Sequence, residues 1–232
     1  MIKQINEYMS YIPSCDRPIS SDVGIIYAKD RTYLFDVGST YECLDFLYSI
    51  QGKKQAVISH FHGDHTWWLT KHKKGDAGLE PGDERSLNYE RPEFEKIYIG
   101  KGTEKYIPDG MIVTEAVTVT DETKDGKSLK LEIIPMPSSH SKGSLALMVN
   151  DEFLFMGDST YCRYIEPKGD IEPHAEYNVQ KLKEQIDLLK SLKADKCLVS
   201  HEERFIRPKK VVIRQLESVF ERRKPGENTI IL

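Results

Sequence analysis

The sequence predicts a mixed α+β fold, with sheets covered by helices on their outer faces, and three observations point to it. Short apolar runs of strand length recur along the chain, a tight-turn dipeptide joins two of them, and two later stretches repeat apolar residues at helical spacing. In chain order the strands fall at Val23–Ala28, Thr32–Asp36, Ala56–Ser59, Ile97–Gly100, Val113–Val119, Leu129–Ile134, Leu145–Val149, Phe153–Met156 and Cys197–Ser200. In Leu129–Ile134 the apolar Leu129, Leu131 and Ile133 alternate with Lys130 and Glu132, as in a half-buried strand. Asn150-Asp151 lies between two apolar runs and reads as a tight hairpin connection. Helical spacing relates Val179, Leu182, Ile186, Leu189 and Leu192, and again Val212, Leu216, Val219 and Phe220 after Pro208, a residue suited to a first turn. The chain has no internal repeat and no low-complexity tract.

At 232 residues the chain fits a single domain built on one two-layered core. No apolar stretch approaches the ~20 residues that cross a bilayer, and the N-terminus lacks a basic-then-apolar signal segment. A cytoplasmic location without a membrane partner is therefore expected. Cys15, Cys43, Cys162 and Cys197 form no Cys-x-x-Cys pair, so reduced, buried thiols are expected rather than a disulfide framework or a zinc knuckle. Cys162 lies near a site residue but has no paired base in the sequence, so it is not read as a nucleophile. The basic runs Arg207–Arg214 and Arg222–Lys224 flank or interleave with apolar helix positions, and the formal charge is −4. They read as solvated helix faces, and no nucleic-acid partner is expected.

The chemistry concentrates in His60-Phe61-His62-Gly63-Asp64-His65, which follows the apolar run Ala56-Val57-Ile58-Ser59. In an extended backbone, residues 60, 62 and 64 project to the same side, and Gly63 gives the chain freedom to bring His65 round to the same centre. Three later residues share this context: His140 after Ile133-Ile134-Pro135, Asp158 after Phe153–Gly157, and His201 after Cys197–Ser200. Of the 7 histidines, only His72 and His174 lie away from a predicted strand end. A single His-x-His would read as surface or core; this convergence reads as a metal site.

With Asp36-Val37-Gly38, the 60–65 cluster, His140-Ser141-Lys142-Gly143-Ser144, Gly157-Asp158-Ser159 and His201 in this order, the chain resembles the metallo-β-lactamase-fold superfamily. The resemblance implies a four-layer αββα sandwich with the metals at one edge, between the sheets. It further implies two divalent ions: His60, His62 and His140 on one, Asp64, His65 and His201 on the other, with Asp158 bridging. Three imidazoles leave an open position for water, as in catalytic rather than structural sites. Two carboxylates and a bridging hydroxide would offset the repulsion between the ions, which lower the pKa of water towards about 7. Zinc is the first choice for such ligands, and iron and manganese suit them too. Asp36 either orients the 60–65 loop from behind or is an ordinary strand-end aspartate.

Other features carry less. Asp64 and Tyr161 are the expected catalytic residues, Tyr161 because acyl-homoserine lactone lactonases of the superfamily place a substrate-contacting tyrosine at the same offset from the bridging aspartate. Trp67-Trp68 either wall the substrate site or pack in the core. The polar segment 72–95 is read as a lid, a solvated insertion or a dimer contact; the oligomeric state stays open.

The leading reading is hydrolysis of a small ester, thioester or lactone, because the His140–Ser144 and Gly157-Asp158 segments resemble those of glyoxalase II-like and lactonase-like members. No extra C-terminal substrate domain of the glyoxalase II kind is evident, which weighs against a glutathione thioester. Phosphodiester hydrolysis is the alternative, since His-x-His-Gly-Asp-His also occurs in tRNA-processing nucleases of the superfamily. A mononuclear iron dioxygenase-like enzyme, a β-lactamase and a non-catalytic sensor rank lower, because the full glyoxalase-type ligand set is present.

Overall fold

The structure is a computed structural model that describes residues 1–71, 84–166 and 172–232. Two mixed sheets face each other. The first runs, in spatial order, through Lys3–Gln4, Met9–Ile12, Val23–Tyr27, Arg31–Phe35, Lys53–Val57, Lys96–Gly100 and Met111–Val113. The second runs through Val117–Glu122, Ser128–Pro135, Leu145–Val149, Phe153–Gly157, Lys196–Val199 and Ile206–Pro208.

Alternation along the strands sorts the side chains into layers. Phe35, Val57, Leu131, Ile133, Leu145, Leu147, Val149 and Phe155 fill the space between the sheets. Their neighbours Ala146, Met148, Leu154 and Met156 face outward under the helices Val179–Ser191 and Lys209–Phe220, where Leu182, Ile186, Leu189, Val212 and Leu216 meet them. On the opposite outer face Ile25, Leu34, Ala56 and Ile99 pack under the helix Tyr41–Ser49 and Trp68. The result is the αββα sandwich. Strands covered on both faces need apolar residues at consecutive positions, which is why Leu145–Val149 and Phe153–Gly157 are buried throughout.

Local signals start and end the elements. Asn178 caps the Val179–Ser191 helix by accepting the Lys181 N–H at 2.9 Å, and Thr40 caps Tyr41–Ser49 through the Cys43 N–H. Asn150 and Asp151 both take positive φ, 50° and 55°, as a two-residue hairpin turn requires. Pro208 lies at the N-cap rather than inside the first turn and also ends the strand Ile206–Pro208.

The structure corrects several expectations. Val113–Val119 is not one strand: Met111–Val113 closes the first sheet and Val117–Glu122 opens the second, so residues 114–116 carry the chain across the sandwich. Ala56–Ser59 becomes Lys53–Val57, which leaves Ile58 and Ser59 in the loop that feeds the histidine cluster. The helix Tyr41–Ser49 and a small sheet of Arg163–Ile165, His174–Asn178 and Thr229–Ile231 have no counterpart in the sequence reading. Residues 72–83 of the polar segment, and His72 with them, lie outside the described residues. The rest of that segment packs on the outer helix layer, where Ser86 Oγ is 3.2 Å from the Tyr41 hydroxyl and the Arg85 guanidinium lies 4.5 Å over the Tyr41 ring. Among the described residues, no helix is long and apolar enough to cross a membrane.

Candidate metal centre

The seven residues singled out as ligands converge at one edge of the sandwich. His60, His62, Asp64 and His65 come from the loop after Lys53–Val57 and the short helix Gly63–Thr66. His140 stands on the loop before Leu145–Val149, Asp158 directly follows Phe153–Gly157, and His201 follows Lys196–Val199. They form two groups, His60/His62/His140 and Asp64/His65/Asp158/His201, and within each the candidate ligand atoms lie within 4.8 Å of one another. His140 Nε2 is 3.1 Å from His62 Nδ1, and His201 Nε2 is 3.0 Å from Asp64 Oδ2. Asp158 Oδ2 reaches both groups, standing 3.4 Å from His65 Nε2, 3.5 Å from His140 Nε2 and 3.7 Å from His201 Nε2.

The far side of each ring shows which nitrogen faces the centre. His65 Nδ1 donates to Asp36 Oδ2 at 2.7 Å, which leaves Nε2 to the centre. His140 Nδ1 donates to the Cys162 carbonyl at 3.2 Å, and His60 Nδ1 lies 3.0 Å from Ser59 Oγ. Asp36 is thus an orienting residue: its other oxygen accepts the Ser59 N–H at 2.7 Å, so one buried carboxylate ties His65 to the start of its own loop.

The backbone is bent to make this fit. Asp36 and His201 both adopt left-handed conformations, with φ of 64° and 61°; a non-glycine residue there costs about 1–3 kcal/mol, which surrounding bonds must offset. Gly157 shares that conformation, and a Cβ there would stand 2.5 Å from Ser59 Cβ. Gly100 lets the His140 loop sit directly on the end of its strand, because a Cβ there would collide with the Gly143 carbonyl.

Among the seven candidate ligands, three polar atoms are buried without a hydrogen-bond partner: His60 Nε2, His65 Nε2 and Asp158 Oδ1. Orphaned polar atoms are costly inside a protein. A cation between them would satisfy them, and a His/Asp set without thiolate suits zinc, iron or manganese. Electrostatics agree for His60 and His62. Burial, together with the nearby histidines, holds His60 well below the ordinary histidine range, and burial with His140 beside it lowers His62; both shifts favour the neutral form, which ligates a cation. Burial also opposes charge on His65, but Asp36 and Asp158 outweigh it and raise its pKa.

The remaining candidates divide. Tyr161 lies beside the centre, its ring 6.3 Å from that of His140, and its hydroxyl donates to the Ser200 carbonyl at 2.6 Å. Trp68 is a core residue, fully buried, with Nε1 donating to the Thr40 carbonyl at 3.0 Å. Trp67 is partly buried against the same core. His174 lies apart on the small sheet, 3.4 Å from Glu176. Sequence reasoning missed Asp22, Ser59 and Ser200, which contact the candidate ligands or their neighbours without belonging to either group. The available signal was a serine directly before three of the histidines, in Ser59-His60, Ser139-His140 and Ser200-His201.

Comparison with known proteins bears on the fold and the family. Anti-Pycsar protein Apyc1 from Paenibacillus sp. (strain J14) is 26% identical over 145 residues, 59% of this chain. The chain spans 59% of the length of that curated relative. An archaeal metallo-beta-lactamase superfamily protein from Sulfolobus tokodaii superposes with a TM-score of 0.55 at 18% identity, covering 96% of this chain and 90% of its own. The metallo-beta-lactamase DIM-1 superposes with a TM-score of 0.56 at 14% identity, covering 95% of this chain and 96% of its own. At these identities the two structures speak to the fold alone. The profile of the family described as the metallo-beta-lactamase superfamily matches residues 16–201, well over half of the sequence, and the chain belongs to that superfamily.

Proposed function

We propose that the chain is a metal-dependent hydrolase of a small ester, thioester or lactone, with two divalent ions at one site. The observation that carries this reading is the place of Asp158, whose Oδ2 lies within 3.7 Å of histidine nitrogens from both ligand groups. A carboxylate there suits a bridge between two cations and has little other reason to be buried among three imidazoles. Bound at this site, divalent ions supply a water of lowered pKa and Lewis acidity towards a carbonyl or phosphoryl oxygen. His60, His62 and His140 would hold one, Asp64, His65 and His201 the other.

The chain's own groups fix the surroundings. Asp36 and the Cys162 carbonyl lock ring orientations, so little reorganisation is needed when substrate arrives. Tyr161 borders the site, and because its proton is engaged by the Ser200 carbonyl, its oxygen would meet a substrate as an acceptor. A small-molecule substrate in a cytoplasmic setting completes this reading.

A second reading, hydrolysis of a small nucleotide phosphodiester, is favoured by one specific contact. Tyr106 stacks on Phe61 with ring centroids 4.4 Å apart and planes 6° from parallel, and Phe61 lies 4.9 Å from the His62 ring. Tyr106 is partly exposed and Lys105 Nζ sits 4.6 Å from its centroid. Such a platform suits a planar base attached to an anion.

The test is a substrate screen on metal-loaded protein: lactones, thioesters, bis(p-nitrophenyl) phosphate and cyclic mononucleotides, each at several salt concentrations. Carbonyl hydrolysis fastest, with weak salt dependence, supports the first reading. Cyclic mononucleotide turnover that exceeds it and falls in Tyr106→Ala replaces it with the second. Polynucleotide cleavage falling steeply with salt, as counterion release requires, would reject both.

A further inference from the structure

Ser21 and Asp22 belong to neither ligand group, yet each grips the loop of a different candidate ligand. The Ser21 N–H donates to the Asp64 carbonyl at 3.0 Å. The Asp22 carboxylate accepts the His201 N–H at 3.0 Å, the Ser200 hydroxyl at 3.4 Å and the Ser14 N–H at 3.1 Å. In return the Asp22 N–H donates to Ser200 Oγ at 2.9 Å. Ser200 is saturated: its N–H donates to the Gly157 carbonyl at 3.2 Å and its own carbonyl accepts the Tyr161 hydroxyl.

Two features set this arrangement apart from an ordinary tie between strands. Asp64 comes from the short helix Gly63–Thr66 that follows a strand of the first sheet and His201 from just past a strand of the second, and adjacent residues of one short segment contact both. Asp22 is also a carboxylate only 4% exposed, and its hydrogen-bond donors are backbone amides and a hydroxyl rather than a cationic side chain. Burying a carboxylate is costly unless hydrogen bonds offset the lost solvation, so Asp22 is bound tightly to the three groups that donate to it. What they hold is His201 in its left-handed conformation, with Nε2 on Asp64.

We infer that Ser21 and Asp22 form a clasp that positions the second cation subsite, with Asp22 setting the aim of His201. This rests on the two-metal reading above. Without Asp22, His201 would relax from its left-handed geometry and its nitrogen would leave Asp64, while His60, His62 and His140 would keep their places.

The experiment titrates Zn²⁺ into metal-free full-length protein against a chromophoric chelator, with Co²⁺ absorption spectra as a second readout. Wild type, Asp22→Ala, Asp22→Asn and Ser200→Ala are compared. Wild type should take up two equivalents. In Asp22→Ala the first should bind as in wild type and the second about 10–100-fold more weakly, the usual cost of losing a residue that orients a ligand. Asp22→Asn, which keeps one acceptor oxygen, should fall between, and Ser200→Ala should shift the second equivalent the same way by less than about tenfold. The Co²⁺ bands of the second equivalent alone should change. If Asp22→Ala fails to fold, the other two variants decide by the same criterion. Two equivalents bound with wild-type affinity in the variants, or both equivalents weakened alike, would overturn the clasp. A wild type that binds fewer than two equivalents would instead refute the two-metal reading, and the clasp with it.

Discussion

Asp36 Oδ2 lies 2.7 Å from His65 Nδ1, and neither side chain is reached by solvent. The carboxylate fixes the imidazole tautomer and aims Nε2 into the centre, so the strength of the His65 ligand depends on a residue that bonds no metal. In Asp36→Asn the amide keeps the shape but loses the charge. Metal affinity should fall about 10–100-fold at the second subsite, read by the same Zn²⁺ titration; unchanged affinity would make Asp36 merely a strand-end residue.

Asp158→Ala should remove most turnover, on the order of a hundredfold or more in kcat/KM, equivalent to about 2.7 kcal/mol or more of transition-state stabilisation. It should also release metal more readily, because a carboxylate oxygen near both groups is gone. Steady-state kinetics paired with metal analysis of dialysed protein measures both; retained activity would show Asp158 to be structural.

His174→Ala is the contrasting case. His174 pairs with Glu176 on the small sheet, away from both ligand groups, so metal content should be unchanged. His72→Ala should behave alike. Loss of an equivalent in either variant would redraw the ligand set.

Gly100→Ala tests the seat of the His140 loop. A methyl group at position 100 collides with backbone rather than with a flexible side chain, so the loop must move. Stability should fall by about 1–3 kcal/mol, and the first Zn²⁺ equivalent should weaken more than the second. Thermal denaturation and the titration separate the two effects.

Metal removal should lower the melting temperature. Ligands that bind only the folded state add about 2.7 kcal/mol at a hundred times their dissociation constant, and His60 Nε2, His65 Nε2 and Asp158 Oδ1 are left without partners otherwise. Differential scanning calorimetry with and without a chelator gives the shift; equal melting curves would count against bound ions in the wild-type protein.

By itself the sequence determined the fold class, most strands, both long C-terminal helices and the candidate ligands. These are legible because they are local: strand runs, helical spacing, and ligands packed into six consecutive residues or placed at strand ends. Tertiary structure decided what depends on partners far along the chain. Val113–Val119 reads as one strand because periodicity reports which residues face an apolar layer, not which sheet they join; only packing divides it at residues 114–116. Trp68 beside the metal loop could face either way until Thr40 and the first sheet enclosed it. Asp22 and Ser200 stand 178 residues apart, and their bond exists only because the two sheets pack face to face and bring these strand ends together. Ligand chemistry is written in residue types, whereas the aim of each ligand is set by hydrogen bonds that exist only once the sheets are face to face.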